Sequence, residues 1–278
     1  MIHIFCDSTG AVPAEMLEKH KNLHIIPLHI EGPDGQYIPE GDTSIEWVIN
    51  TSEKEKRAVP TSQPSTGDFL QAFDTVPSGD AIIVITVTSG VSGTYNGAVL
   101  AAKQSGRRQI AVVNSRTTAI GIVQLAEDAL DLIAEGKSFE TIAAELQEAA
   151  LRMHTTFTVD TLDYLRRGGR IGKAAGLIGS ILRIKPVIFL NDKNEVDVLD
   201  KVRTTKKASA CMIKYLEENS PCRRIGIVHI ENPEGAEELR ARVQAAYPDV
   251  NVTVTTGTPV LAAYLGPGLT GIIFESAK

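Results

Sequence analysis

The stretch Ala81-Ile82-Ile83-Val84-Ile85-Thr86-Val87-Thr88-Ser89-Gly90-Val91-Ser92-Gly93-Thr94-Tyr95 decides the fold. Its first half is a near-continuous run of Ile and Val, the pattern of a strand buried on both faces rather than one with a solvated side. Its second half is small, hydroxyl-bearing and glycine-rich, and leads into a helical segment at residues 96–103. A strand covered on both faces, followed at once by a turn and a helix, implies a parallel sheet with helices on either side.

Outward from that stretch the same rhythm repeats. Residues 2–6, 24–30 and 110–113 are further short apolar runs that read as buried strands. A helical pattern runs through Ile122, Leu125, Ala126, Ala129 and Ile133, and Gly136 sits where a C′ glycine would close it. Ser138 is the expected N-cap of a second helix carrying Phe139, Ile142, Ala143, Leu146 and Ala150 on one face. After about Met153 the rhythm changes. Residues 186–190 and 196–199 flank the turn Asn191-Asp192-Lys193-Asn194, the signature of an antiparallel hairpin. Strands are expected at 225–230, 252–255 and 271–274, with helices at 205–218 and through Ala236, Leu239, Val243 and Ala246. The fold class is therefore α/β with two domains: an N-terminal parallel-sheet α/β/α domain, residues 1–155, and a C-terminal mixed-sheet α+β domain, residues 156–278.

Composition narrows the function. With 43% hydrophobic and 22% charged residues among 278, the chain can build a full core. A net charge of −6 and a pI near 5.6 argue against nucleic acid as a partner, because neutralising phosphates needs a surplus of Lys and Arg. Cys6, Cys211 and Cys222 have no metal-ligand spacing and read as thiols of a reducing compartment. The opening residues lack the basic region of a signal peptide, and no run approaches the roughly 18 apolar residues of a spanning helix. A cytoplasmic protein without membrane insertion, metal or cofactor is expected.

Small hydroxyl residues follow the strands: Asp7-Ser8-Thr9, Thr88-Ser89-Gly90 and Asn114-Ser115. In an open parallel sheet that edge is where ligands bind, although Ser and Thr also cap helices and fill turns. Ser92, expected where a helix begins, and the hydroxyl-rich segment from Pro60 to Phe69 would together suit an oxyanion such as a carboxylate or phosphate. A nucleophilic Ser92 is disfavoured, since Gly90-Val91-Ser92-Gly93 is not a G-x-S-x-G elbow. The segment Leu162 to Lys173 is not a P-loop, because Arg167 falls where its first glycine must be and Ala174 where its Ser or Thr must be. What remains there is a paired-glycine turn with arginines, followed by an apolar helix through Ala174, Ala175, Leu177, Ile178, Ile181 and Leu182. That helix reads either as ordinary core or as the wall of a tunnel for an apolar ligand, with Arg170 near the surface for a partner. Gly266-Pro267-Gly268, preceded by Tyr264, is either a plain turn or a close backbone approach to a ligand.

Taken in order, these pieces resemble the DegV family along essentially the whole chain. The resemblance is carried by Asp7-Ser8, Pro27-Leu28, Thr61-Ser62-Gln63-Pro64, Ser89 to Tyr95, Ser115-Arg116 and Leu162 to Ile171. It continues through Ile184-Lys185-Pro186, Arg203 with Lys206-Lys207-Ala208, and Gly266-Pro267-Gly268. It implies one long-chain fatty acid held between two domains, its carboxylate at Thr61 and Ser92 with Ser62, Gly93, Thr94, Tyr264 and Gly266 around it. The tail would lie along Leu177, Ile178, Ile181 and Leu182. It further implies that the chain is no enzyme by itself but the acyl-binding subunit of a two-component fatty acid kinase, with Arg170 working toward the separate ATP-binding subunit. Three positions depart from the family pattern: Tyr264 stands where His is common, Asn114 where Asp is usual, and Gly10-Ala11-Val12 replaces an acidic-then-Leu step. Two other functions compete: a phosphotransfer component for a small hydroxylated substrate, and a lipid store or sensor that meets no kinase.

Overall fold

The computed structural model describes residues 1–177 and 184–278. The chain opens with β1 (Ile2–Asp7), α1 (Ala14–Lys19), β2 (Leu23–Ile26), β3 (His29–Glu31) and β4 (Tyr37–Pro39). Next come α2 (Ile45–Glu55), β5 (Thr61–Ser62), α3 (Thr66–Asp74), β6 (Ala81–Thr86), α4 (Thr94–Gln104) and β7 (Ile110–Asn114). The middle holds α5 (Ile120–Ala134), α6 (Phe139–Leu151), β8 (Met153–Thr158), α7 (Asp163–Arg167), β9 (Lys185–Leu190) and β10 (Val196–Val202). Last are α8 (Thr205–Glu218), β11 (Cys222–Ile230), α9 (Pro233–Ala246), β12 (Val252–Thr256), α10 (Pro259–Leu265) and β13 (Leu269–Ser276).

Strands β2-β1-β6-β7 form a four-stranded parallel sheet in that order. Every residue of β6 is buried, as a strand with helices on both faces requires. The order turns back between β1 and β6, so the loops leaving those strands diverge and open a crevice at their carboxyl ends. A second sheet, ordered β10-β9-β8-β13-β11-β12, is antiparallel except for the β11–β12 pair. Helices α8 and α9 cover one of its faces through Met212, Leu216, Leu239 and Val243. This is the mixed-sheet arrangement expected for the C-terminal half.

Local caps match the sequence. Ser138 Oγ accepts from Thr141 N at 3.2 Å, and Gly136 takes φ 76° just beyond α5. Elsewhere the structure corrects the reading. Residues 24–30 are not one strand: Pro27 has no N–H to continue a ladder, so β2 stops at Ile26 and β3 begins at His29 in a separate three-stranded sheet, β4-β3-β5. Ala174, Ala175 and Leu177 lie in a 3-10 turn spanning Gly172–Leu177 rather than an α-helix. Ile178, Ile181 and Leu182 lie outside the described residues. Strand β8, close to the expected boundary near residue 155, pairs within the second sheet.

Helix α5 joins the halves. It packs on β1 and β6 from one side and on β11 and β13 from the other, and a single core cluster holds Ile4, Ile83, Ile122, Leu125, Val228 and Ile273 together. Gly226 of β11 lets the helix come close: a Cβ there would stand 2.5 Å from Ile120 Cγ2. Midway along α5, Arg224 of β11 reaches Asp128 Oδ1 (2.7 Å) and Glu127 Oε2 (2.6 Å). Gly226→Ala should therefore destabilise the fold by roughly 1–3 kcal/mol, the usual cost of overpacking a tight core. Urea titration checks this, since a midpoint equal to wild type would mean that α5 does not depend on this contact.

Candidate functional site

Where α5 begins, the two sheets are no longer held apart by helix, and a cavity opens between them. Its floor comes from the carboxyl ends of β1 and β6 (Thr9, Val87, Thr88) and from Thr118 and Ala119 before α5. The second sheet contributes Phe157, Val228, Ile230 and Ile273, while α7 and α10 roof it with Leu165, Leu261 and Leu265. It offers about 130 Å³ of free space. A largely aliphatic cavity of that size favours an apolar guest over water. At roughly 24 cal/mol per Å³, hydrocarbon filling it would regain on the order of 3 kcal/mol of packing.

The mouth is polar. Thr61 on β5, Ser92 and Gly93 before α4, Tyr264 on α10 and Arg170 after α7 all line it. Thr61 Oγ1 and Tyr264 Oη share a short hydrogen bond. Ser92 Oγ accepts from Thr94 N at 3.3 Å and pairs with Thr94 Oγ1 at 2.8 Å. The Arg170 guanidinium lies over the Tyr264 ring, 4.6 Å from its centroid, and donates to Gly168 O (2.7 Å) and Val91 O (3.2 Å). Gly168 is needed beneath that ring, because a Cβ there would come within 2.3 Å of Tyr264 Cδ1.

Two buried carboxylates hold the floor and roof. Asp7 accepts from Thr9 N (3.0 Å), Thr9 Oγ1 (2.6 Å) and Val87 N, so it ties the ends of β1 and β6 together at the crevice. Burial pushes its carboxyl up to about 6 against the pull of those bonds. Glu40 accepts from Ser8 Oγ and from Val260 N (2.9 Å), so it holds the first turn of α10 against the loop after β1. Burial raises its carboxyl as well. The Asn114 side chain organises the neighbouring loop, accepting from Ser89 N (3.1 Å) and Arg116 N (3.2 Å).

Among the expected site residues, Thr61, Ser92, Gly93, Tyr264 and Arg170 meet at the mouth. Ser62 does not: its side chain is exposed and donates to Gln63 O. Thr94 is buried as the first residue of α4, one place beyond the cap Gly93, so Ser92 stands before the helix rather than at its cap. Thr61 lies on a short strand and not at a helix start. Gly266, at φ 70°, packs on the Tyr164 ring and stands outside the lining. Leu177 is buried but also stands outside it. The aliphatic wall was missed in the sequence, because its residues come from strands that read as ordinary core. Glu40 carried no pattern at all. Among the described residues no group of three or more His, Cys, Asp or Glu is placed to hold a metal ion, and no helix is long and apolar enough to cross a membrane.

A family model described as "Uncharacterised protein, DegV family" matches residues 1–277. The protein DegV of Bacillus subtilis is 31% identical over 276 residues, 98% of either chain. A DegV domain-containing protein of Listeria innocua is 30% identical over 280 residues, covering 99% of this chain and 98% of its own. Among solved structures, a DegV family protein from Thermus thermophilus, described for its fatty acid binding, superposes with a TM-score of 0.89 at 28% identity over 99% of each chain. DegV from Bacillus subtilis, described as a fatty acid binding protein, gives 0.85 at 29% identity over 99% of each chain.

The carboxyl of Asp7 moves from its ordinary 3.8 to about 6 on folding. Between those pH values the folded chain holds a proton that the unfolded chain has released, so this group's contribution to stability falls as pH rises from about 4 to 6. The loss is on the order of 2–3 kcal/mol, at about 1.4 kcal/mol per unit. Urea midpoints of wild type and Asp7→Asn across that range provide the check: the difference between them should change with pH, and parallel profiles would sink the assignment.

Proposed function

The chain belongs to the DegV family, and from that premise we propose that it binds one long-chain fatty acid between its two sheets and presents the carboxylate to a separate ATP-dependent kinase subunit for acyl phosphate formation. It works as a cytoplasmic carrier with no chemistry of its own, and its domains divide near residue 155. The observation that carries this reading is the cavity itself, largely aliphatic within and hydroxyl-lined at the mouth. The fatty acid binding described for the Thermus thermophilus and Bacillus subtilis relatives supports it.

The chemistry is consistent. Thr61, Ser92 and Tyr264 offer hydroxyl donors, which hold a carboxylate without the bidentate grip of an arginine. Arg170 is the one cation in the lining among the described residues, and it is turned onto the Tyr264 ring. An oxygen of the bound acid is then left reachable for phosphorylation. The tail supplies affinity: about 15 methylenes at roughly 0.8 kcal/mol each give about 12 kcal/mol gross, before the costs of association. A small hydroxylated substrate would leave that aliphatic wall without a partner.

Native mass spectrometry of the purified protein should show a co-purifying species in the mass range of a long-chain acid. Ser92→Ala and Tyr264→Phe should each weaken its binding by roughly 1–3 kcal/mol, as expected for hydrogen bonds to a charged group. Calorimetry giving both variants wild-type affinity would remove the proposed carboxylate site. Arg170→Ala should reduce acyl phosphate formation with the cognate kinase far more than it reduces lipid affinity, because exposed charges act mainly on partner association. Equal losses in the two assays would assign Arg170 to the ligand alone.

A further inference from the structure

The cavity has polar groups away from its mouth. Besides Thr61, five threonines line it: Thr9, Thr88, Thr118, Thr155 and Thr156. Three are engaged by the protein. Thr9 Oγ1 donates to Asp7 (2.6 Å), Thr155 Oγ1 pairs with Thr117 Oγ1 (2.8 Å), and Thr156 Oγ1 donates to Ile188 O (2.9 Å). The other two differ. Thr118 Oγ1 is buried with no hydrogen-bond partner among the described residues. Thr88 is 1% exposed, and among the described residues its Oγ1 makes one long bond, accepting from Gly90 N (3.4 Å), which leaves its own proton to give. Thr88 N donates to Thr117 O at 2.9 Å, so the segments carrying these two threonines lie side by side.

A hydroxyl left without a partner in an apolar cavity is costly. Valine would fill the same volume at either position without that cost. We propose that Thr88 and Thr118 form a second polar anchor, which receives a neutral oxygen, a hydroxyl or oxo group, on an acyl chain whose carboxylate lies at Thr61 and Ser92. This rests on the fatty acid reading and narrows it to oxygenated acids. The charge of the wall selects a neutral group. Asp7 is buried behind it, accepting from Thr9 Oγ1 and from Val87 N, and the lining's cation, Arg170, is at the mouth. A second carboxylate or a phosphate at this depth would face like charge and no counter-ion.

The test is calorimetric titration of the delipidated full chain with octadecanoic acid and with monohydroxy isomers bearing the hydroxyl near the carboxylate, at mid-chain and near the methyl end. At least one isomer should bind roughly five- to tenfold more tightly than octadecanoic acid, the factor expected for one buried hydrogen bond. Thr118→Val should bring that ratio to about one, and Thr118→Ser should keep it. The readout is a ratio of two affinities, so any general loosening of the cavity cancels. Thr118→Ala serves in its place if Thr118→Val does not fold. Octadecanoic acid binding with no isomer favoured, or a preference that survives Thr118→Val, overturns the anchor alone and assigns these hydroxyls to ordered water. Failure of every acid to bind overturns the fatty acid reading and the anchor with it.

Discussion

Helix α5 is buried around most of its circumference, with Ile122, Leu125, Ala126 and Ala129 inaccessible to solvent. A helix apolar on several faces cannot rest on one sheet and leave its other side in water. Two sheets are therefore drawn onto it, one parallel and one mixed, and a single core runs through both. Its 15 residues span about 22 Å at 1.5 Å per residue. Beyond its first residue the sheets remain separated but the filler is gone. The cavity is that remaining space, and its position follows from the length of one helix.

The parallel sheet sets the other boundary. Its strand order reverses between β1 and β6, so the loops after those strands part at the place where α5 starts. Asp7 spans the gap by accepting from both strand ends, and Glu40 ties the loop after β1 to α10. These carboxylates need not touch a ligand to matter. They hold the floor and the roof whose separation determines what fits. Ion pairs of Arg152 and Arg223 with the buried Glu275, and of Arg224 with Asp128, brace the opposite end of the same junction. The junction is ion-paired at one end and hollow at the other.

Much of this was legible in the chain. The Ile and Val run at 81–87 announced a doubly covered parallel strand, and the turn at Asn191–Asn194 announced the hairpin, because both signals are local in origin. The mouth of the site was legible in part: Ser92 and Gly93 follow a strand whose carboxyl end must face a crevice. Thr61 and Tyr264, separated by 203 positions, could be linked only through the family resemblance. Of the tail wall expected after the paired glycines, Leu177 is buried away from the described lining and Ile178, Ile181 and Leu182 lie outside the described residues. The described lining draws on residues such as Val228 and Ile273 that resemble any other core position.

The sequence by itself determined most of the segments that become strands and long helices, the hairpin at Asn191–Asn194, and that small hydroxyl residues crowd one edge of a parallel sheet. Those properties depend on side-chain periodicity, proline and glycine geometry and caps, which act over a few residues. Only the tertiary structure decided that Thr61 meets Tyr264, that Arg170 lies on the tyrosine ring, and that Thr118 finds no partner among the described residues while Thr155 does. These depend on how two sheets are spaced by a shared helix, a distance that no local pattern encodes. Whether a buried hydroxyl is satisfied or free is settled by an ångström of packing, which no run of residues records.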